Sequence, residues 1–331
     1  MLGRDIKGAD DAFLLHDEME EINDPVYFRE FIQHAEQHGL HYLADAEFRT
    51  VFPFDIPQET MSYIQSHSRD TIELEQYLDF LRNRMFRQTL LCRADAQVDR
   101  VLEPSRIVDL YVSSQAKPSS VQPDIQNVTI EQFKSNDGGV LTTDHPVTKA
   151  AMMILREHWP AAIGLEKLLE LARGRLGRRA DRQGDRRNRR KQSESERNEL
   201  NRDRLVLADN LLRAFAYSTQ LVKLSAFTPN FTTTVSRRPI ASPVARTQAV
   251  DGAVVTSLQH DRVRLTDVQR VLLPLLDGSR DRTALLDELA SRAVATGPAA
   301  DPTALHSLRN ALATDLDLHL RYFAEFSLLI G

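Results

Sequence analysis

The sequence predicts an α+β protein that is mostly helical, with a small α+β domain followed by winged-helix-type units. Three patterns support this class. Residues 71–93 read as an amphipathic helix that passes directly into a strand. Three amphipathic helices between 146 and 215 precede strand-like segments, an order typical of a winged helix. Two leucine-rich helices near the C-terminus are joined by a turn at 277–281.

These patterns divide the chain into three predicted domains. Residues 1–127 form the small α+β domain, 128–260 a winged-helix-like domain, and 261–331 a helical C-terminal unit of a second winged-helix-like type. Residues 177–202 contain almost no apolar side chains, so ordering them would bury little surface. We therefore expect a disordered basic insertion there.

In the first domain, Asp24 is a candidate helix cap, Pro25 suits the first helical position, and Gly39 suits the far end. A short helix is predicted at 58–67, after a proline-rich stretch at 53–57.

The next predicted helix begins with a cap at Asp70, toward which Glu73 is expected to reach back. Its apolar stripe consists of Leu74, Tyr77, Leu78, Leu81 and Met85. From Phe86 to Cys92 the residues alternate as in a half-buried strand.

In the second domain, Pro146 opens the first helix and residues 221–227 read as a strand. The dipeptide Asp251-Gly252 lies between two apolar segments and predicts a hairpin turn.

Charge and cysteine content place broad limits on the protein. The net charge of −5 hides an asymmetry, because residues 173–204 hold 13 Lys and Arg against 6 Asp and Glu, which is +7 and leaves −12 for the rest. The single cysteine, Cys92, cannot form an internal disulfide. No signal peptide or apolar run of membrane-spanning length is present, so we expect a cytoplasmic protein with no membrane contact.

Two regions resemble known families. Residues 14–48, with His16-Asp17, Asn23-Asp24-Pro25 and Tyr27-Phe28, together with the run from Gln76-Tyr77 to Cys92, resemble the predicted methyltransferase regulatory domain. In that family the domain follows a class I S-adenosylmethionine-dependent catalytic domain. Residues 141–160, 237–249 and 254–263 are similar to the C-terminal winged-helix region of protein lysine methyltransferases.

The sequence lacks the motif by which a class I methyltransferase binds its cofactor. A class I methyltransferase holds its cofactor at a glycine-rich turn, yet the 13 glycines include one adjacent pair, Gly138-Gly139, and no G-x-G pattern. We predict no catalytic residue, no metal site and no cofactor in this chain. Methyltransferase activity is expected only with a partner or missing Rossmann-type domain.

Several polar residues have alternative interpretations. A metal site is one interpretation of three nearby histidines, His34, His38 and His41. Solvated histidines are the favoured interpretation, because no fourth ligand is evident. His16 beside acidic residues is best explained by an exposed helix face, and Cys92 by strand packing. Candidate partner contacts come from four arginines near the helix-to-strand junction: Arg82, Arg84, Arg87 and Arg93. A solvated surface explains those arginines equally well.

The favoured hypothesis is a non-catalytic regulatory and substrate-positioning portion of a protein lysine methyltransferase. Its expected partners are a class I methyltransferase catalytic domain and a protein substrate. The alternative is a nucleic-acid-binding winged-helix protein that uses the basic insertion as an electrostatic arm. Nucleic acid is not the favoured partner, because the charge lies outside the third helix, where residues 208–220 include one arginine.

Overall fold

The computed structural model describes residues 24–51, 56–177, 188–295 and 302–331, together with residues 15, 19, 21 and 22. The His16-Asp17 pair, the proline-rich residues 53–55 and residues 178–187 of the predicted insertion lie outside the described residues. The chain divides into two compact units, Met1–Val101 and Leu102–Gly331. The described elements are helices and small antiparallel sheets, so the α+β class is confirmed.

In its described residues, the first unit packs four helices beside one two-stranded sheet. Its elements in chain order are α1 (Phe28–Gln37), β1 (Leu40–Asp45), α2 (Phe48–Val51), α3 (Gln58–His67), α4 (Thr71–Arg82) and β2 (Thr89–Arg93). The strands β1 and β2 pair antiparallel. Phe28, Ile32 and Tyr42 form one small core, and Met61, Ile64 and Leu78 form another.

Strand β1 contains an irregularity that changes which side chains are buried. Tyr42 pairs with Leu91 and Ala44 pairs with Leu90, so Leu43 is an extra residue in the ladder. Because side chains normally alternate along a strand, residues three apart should face opposite sides. The extra residue shifts the alternation, and both Tyr42 and Asp45 are buried while Leu43 is exposed.

Helix α4 begins as predicted but buries a different face. The Asp70 side chain accepts a hydrogen bond from the backbone N–H of Glu73, and the Glu73 carboxylate accepts from the backbone N–H of Arg69, 2.8 Å each. Of the predicted stripe, Leu78 is buried, whereas Leu81 and Met85 are exposed. The buried face of α4 instead carries Glu75, Gln76 and Asp79.

Helix α1 begins at Phe28 rather than at Pro25, so the prediction of its start was wrong. The backbone N–H of Tyr27 donates to the Glu30 carboxylate at 3.2 Å, which satisfies the first turn without Asp24. At the other end Gly39 adopts a left-handed φ of 71°, as the sequence predicted for a helix terminus.

The second unit contains two separate cores. Around the first core lie β3 (Tyr111–Ser113), β4 (Lys117–Pro118), β5 (Glu131–Lys134), β6 (Val140–Thr143), α5 (Pro146–His158), β7 (Ile163–Gly164), α6 (Leu165–Arg175), α7 (Asn188–Tyr217) and β8 (Lys223–Ser225). The sheets have the orders β7-β3-β8 and β4-β5-β6. The helices enclose buried Leu155, Leu168 and Leu211.

Residues 102–127, which the sequence placed in the first domain, pack with the second unit. Strand β3 pairs with β7 and β8, more than 50 and 100 residues later in the chain, and Ile107, Val112 and Ala116 join the same core. Local sequence pattern does not reveal such long-range pairing, so the structural boundary lies near 101 rather than 127.

Residues 188–202 are helical, so the prediction of a disordered insertion was wrong for that part. They extend the predicted third helix into the 30-residue helix α7. Asp203 is buried and forms an ion pair with Arg173 of α6. Arg204 forms a second ion pair, with Glu166 of α6 at 2.6 Å. These ion pairs stabilise the packing of α7 against α6, although the N-terminal half of α7 has few apolar residues.

The C-terminal core extends over residues 240–330. Its elements are β9 (Ile240–Ala241), α8 (Pro243–Asp251), β10 (Val254–Thr256), β11 (Arg262–Arg264), α9 (Asp267–Leu272), α10 (Arg282–Ala295), α11 (Pro302–Glu325) and β12 (Leu329–Ile330). Strand β9 pairs with β12. The predicted hairpin turn at Asp251-Gly252 was wrong, because residues 243–251 form a helix with Pro243 in its first turn. The hairpin joins β10 to β11 instead.

A fully buried lysine holds a loop against α5 in the first core. The Nζ atom of Lys149 donates to the carbonyl oxygens of Asp124, Asn127 and Thr129 at 2.6, 2.6 and 2.9 Å. An ammonium group has three N–H donors, so these three carbonyls use its full capacity. The loop from 119 to 130 is thereby fixed without regular secondary structure.

Replacing Lys149 by Met should lower the free energy of unfolding by about 3 kcal/mol, because three backbone carbonyls lose their buried donor. The measurement is urea denaturation followed by the fluorescence of the single tryptophan, Trp159. Lys167→Met is the control, since exposed Lys167 pairs only with Glu170 and should cost less than about 1 kcal/mol. Equal effects of the two substitutions would contradict the role given to Lys149.

Candidate functional site

The junction between α4 and β2 in the first unit is the candidate site. Helix α4 ends at Asn83, whose left-handed backbone (φ 47°, ψ 48°) turns the chain back along the helix. The backbone N–H of Arg84 then donates to the carbonyl of Asp79 at 2.9 Å. This turn directs residues 84–88 along the buried polar face of α4.

Five charged side chains form a network under this segment: Asp45, Glu75, Asp79, Arg84 and Arg87. Arg87 Nε lies 2.8 Å from an Asp79 carboxylate oxygen, and Arg87 Nη2 lies 2.8 Å from Glu75. Arg84 Nη2 lies 3.0 Å from Asp45, whose side chain is 1% exposed. Three carboxylates thus face two guanidinium groups.

The pKa values of Arg87 and of the neighbouring Tyr42 are both raised. Burial alone would lower the pKa of Arg87, but hydrogen bonds to Asp79 and Glu75 hold that pKa above its ordinary value. Burial and the charge of Glu75 raise the pKa of Tyr42 to about 12. Both groups therefore keep their protons across the physiological range.

Arg87 also contacts the aromatic core of the first unit. Its guanidinium carbon lies 3.7 Å above the centre of the Phe28 ring, and Phe28 packs edge-on against Tyr42 at 5.1 Å. This cation–π contact joins the charged network to α1. One side chain therefore connects α1, β1 and α4.

The four predicted partner-contact arginines occupy different environments. Arg84 and Arg87 are largely buried in the network, with side-chain exposures of 11% and 10%. Arg82 donates to the carbonyl of Thr50 in α2 at 2.8 Å. Arg93 is exposed and pairs with Asp95. Glu75 and Asp79 were not predicted as site residues, although their spacing of four residues on α4 places both on one helix face.

An open groove of about 550 Å³ lies beside the network. Its polar lining includes Asp79, Arg84 and Arg87. Its apolar lining consists of Val26, Phe28, Phe31, Met85, Phe86 and Leu90. Met85 is 82% exposed and Phe86 is 77% exposed. Contiguous exposed apolar side chains beside a groove are a common feature of protein-binding surfaces.

The other predicted chemical residues do not assemble into a catalytic site. Cys92 is half-buried, and its thiol donates to the carbonyl of His41 at 3.7 Å. His34 and His38 lie one helical turn apart, with Nε2 atoms separated by 3.3 Å. In the described part of the chain, no group of three or more His, Cys, Asp or Glu side chains is arranged to hold a metal ion.

The described residues do not fit the cofactor cradle of a class I methyltransferase. That cradle needs a parallel sheet whose first strand passes into a helix through a glycine-rich turn. All strand pairs in the described segments are antiparallel. The turn from β1 to α2 consists of Ala46 and Glu47, without glycine.

Two family models match the chain. Residues 10–93 match the predicted methyltransferase regulatory domain, and residues 237–328 match the C-terminal winged helix domain of PKMT. The chain carries both of these domains. The candidate groove therefore lies in the regulatory domain, and the C-terminal core from β9 to α11 corresponds to the winged helix domain.

Similar proteins come from Rickettsia. The uncharacterized protein RP789 of Rickettsia prowazekii is 25% identical over 292 residues, which cover 84% of this chain and 48% of that protein. A second uncharacterized protein of that species, RP027, is 22% identical over 62% of this chain and 78% of its own length. The chain thus spans about half the length of RP789.

Two solved structures share the fold. PKMT2 from Rickettsia typhi superposes with a TM-score of 0.76 at 23% identity, covering 99% of this chain and 63% of PKMT2. The complex of PKMT2 with AdoHcy gives a TM-score of 0.75 and covers 62% of PKMT2. The described residues therefore share the PKMT-like fold. No helix among the described residues is long and apolar enough to cross a membrane.

Replacing Arg87 by Met should destabilise the regulatory domain by about 3–5 kcal/mol, because Asp79 and Glu75 would remain buried without their partner. Native-state hydrogen exchange of the β1 and β2 amides measures this change within the domain. Arg93→Met is the matched control on β2, and its exposed pair with Asp95 should contribute less than about 1 kcal/mol. Similar protection in both variants would contradict the network's structural role.

Tyr42 should make the stability of the domain depend on alkaline pH. The unfolded chain releases the phenol proton near the ordinary pKa of 10.0, whereas the folded domain holds it to about 12. Wild-type protein should therefore lose stability relative to Tyr42→Phe as the pH rises from about 10 to about 12. Urea denaturation of both proteins across this range is the measurement, and parallel stability profiles would contradict the prediction.

Proposed function

We propose that this chain is the regulatory and substrate-positioning portion of an S-adenosylmethionine-dependent protein lysine methyltransferase. The observation that carries the proposal is the presence of a methyltransferase regulatory domain and a PKMT winged helix domain in one chain. The antiparallel architecture of the described residues supports a non-catalytic role, because it differs from the parallel sheet that holds the methyl donor in class I methyltransferases.

In this proposal the regulatory domain docks on a class I methyltransferase domain through the groove beside Met85 and Phe86. The solved relative is compatible with an additional domain, since more than a third of the PKMT2 chain lies outside the region that this chain covers. The groove is apolar at its rim and charged beneath, a composition suited to a protein surface.

The expected contribution to catalysis is orientation of the substrate. Holding a protein segment at a fixed distance and angle from the methyl donor converts a bimolecular encounter into an effectively unimolecular one. The regulatory domain would fix the catalytic domain, and the rest of the chain would fix the substrate segment. We assign no proton-transfer or methyl-transfer step to the residues of this chain.

Two measurements test the functional proposal. Calorimetry of the purified chain with S-adenosylmethionine should show no saturable binding, whereas a class I methyltransferase domain from the same organism should bind the chain and methylate its protein substrate faster. Tight uptake of S-adenosylmethionine by the chain alone would overturn the non-catalytic assignment. A lack of association with any such domain, together with unchanged rates, would overturn the regulatory assignment.

Charged substitutions at Met85 and Phe86 test the proposed docking surface. The double substitution Met85→Asp and Phe86→Asp should weaken binding of the methyltransferase domain by about 30-fold or more, because it places charges in the centre of an apolar contact. Val121→Asp, at a fully exposed valine of the second unit, is the control and should leave binding unchanged. The prediction would be contradicted if the double variant still bound the methyltransferase domain. If the wild-type chain self-associates and the double variant does not, the groove would instead bind a second copy of the chain.

A further inference from the structure

Two histidines at the end of α1 are placed to chelate one metal ion. His34 lies in the last turn of α1 and His38 follows the helix directly. Both side chains are exposed, because the buried face of α1 is formed by Phe28, Ile32 and Ala35. The two imidazoles therefore face solvent from the same helical turn.

The separation of the ring nitrogens matches bidentate coordination. The Nε2 atoms of His34 and His38 are 3.3 Å apart, and the ring planes meet at 71°. A Zn²⁺ ion binds histidine nitrogen at about 2.0–2.1 Å, so two ligands at a tetrahedral angle are about 3.3–3.4 Å apart. The observed distance therefore needs no rearrangement to hold one ion between the rings.

The backbone fixes this arrangement independently of the imidazoles. The N–H groups of His38 and Gly39 donate to the carbonyls of Ala35 and Glu36, both at 3.0 Å. The carbonyl of Gly39 accepts from the N–H of Ala94 at 2.8 Å, which ties the helix end to the segment after β2. The backbone positions of His34 and His38 relative to each other are thus set by the fold before any ligand binds.

Local electrostatics also favour a cation at this point. The last carbonyl groups of a helix carry a partial negative charge, and both histidines lie at the C-terminal end of α1. Imidazole ligands suit Zn²⁺, Cu²⁺ and Ni²⁺ better than Mg²⁺ or Ca²⁺, which prefer oxygen. The chemistry therefore selects a divalent transition metal of borderline softness.

We propose that His34 and His38 form a bidentate surface site for Zn²⁺ or a similar divalent transition-metal ion. Within the described ranges no third side chain completes the ligand set, so water fills the remaining coordination positions. A direct hydrogen bond between two neutral imidazoles would give a similar nitrogen separation, but it would not produce metal affinity. The proposal is independent of the docking role of the groove.

Calorimetric titration of the metal-free full chain with ZnCl₂ tests the site. One equivalent should bind, and His34→Asn or His38→Asn should each weaken binding at least tenfold because chelation is lost. His67→Asn is the matched control, since exposed His67 ends α3 of the same domain and instead bonds the carbonyl of Tyr63. Unchanged melting of the metal-free variants confirms that they fold. The absence of saturable binding, or equal affinity in all variants, would overturn the proposal.

A second readout tests the coordination itself. Electron paramagnetic resonance of the Cu²⁺-loaded chain should show two histidine nitrogens bound to copper in the wild-type protein. The signal should reduce to one histidine nitrogen in either His34→Asn or His38→Asn. A wild-type spectrum with one histidine nitrogen, or one that neither substitution changes, would overturn chelation by this pair.

Discussion

The ion pairs of Arg87 with Glu75 and Asp79 are the interaction on which the regulatory domain depends. The Arg87 guanidinium joins two parts of the domain, because both carboxylates lie on α4 and the stacked ring of Phe28 lies on α1. The two apolar cores of this domain are small, so the burial of apolar surface stabilises it only weakly. Buried charges therefore replace part of the packing that a larger core would provide, at the cost of their own desolvation.

The same ion pairs explain how an apolar surface remains ordered in solvent. Arg84 and Arg87 are anchored in the network, and Met85 and Phe86 lie between them with their side chains outward. The exposed pair is thus held at both ends by buried charges. The backbone of this segment is therefore already fixed, which would reduce the entropy lost on binding a partner.

Local features of the fold were predictable from the sequence, and long-range ones were not. Helix α3 begins and ends at the predicted residues, and Asp70 caps α4, because both depend on neighbours within one turn. The roles of Arg84 and Arg87 were missed because their partners include Asp45, about 40 residues away. Likewise β3 reaches partners far along the chain, and α7 extends over polar residues because α6 supplies its ion pairs.

The region between the two matched domains has an architecture of its own. Family models leave residues 94–236 unmatched, yet the structural likeness to PKMT2 covers 99% of the chain. The core around Leu155 and Leu211 therefore belongs to the shared fold although neither family model covers it. The described residues between the two matched segments therefore have a hydrophobic core of their own.

The additional residue in β1 makes the burial of Asp45 depend on the register of the strand. Tyr42 and Asp45 reach the same interior only because Leu43 interrupts the ladder between them. If Leu43 entered the ladder as an ordinary residue, the alternation would become regular and the Asp45 carboxylate would turn toward water, away from Arg84, with every charged residue still encoded. Deleting Leu43 would instead leave Tyr42 and Asp45 two positions apart, on the same face of a regular strand. Among homologues, a domain with two residues between the aromatic and acidic positions should therefore keep the bulge, and a domain with one should have a regular strand.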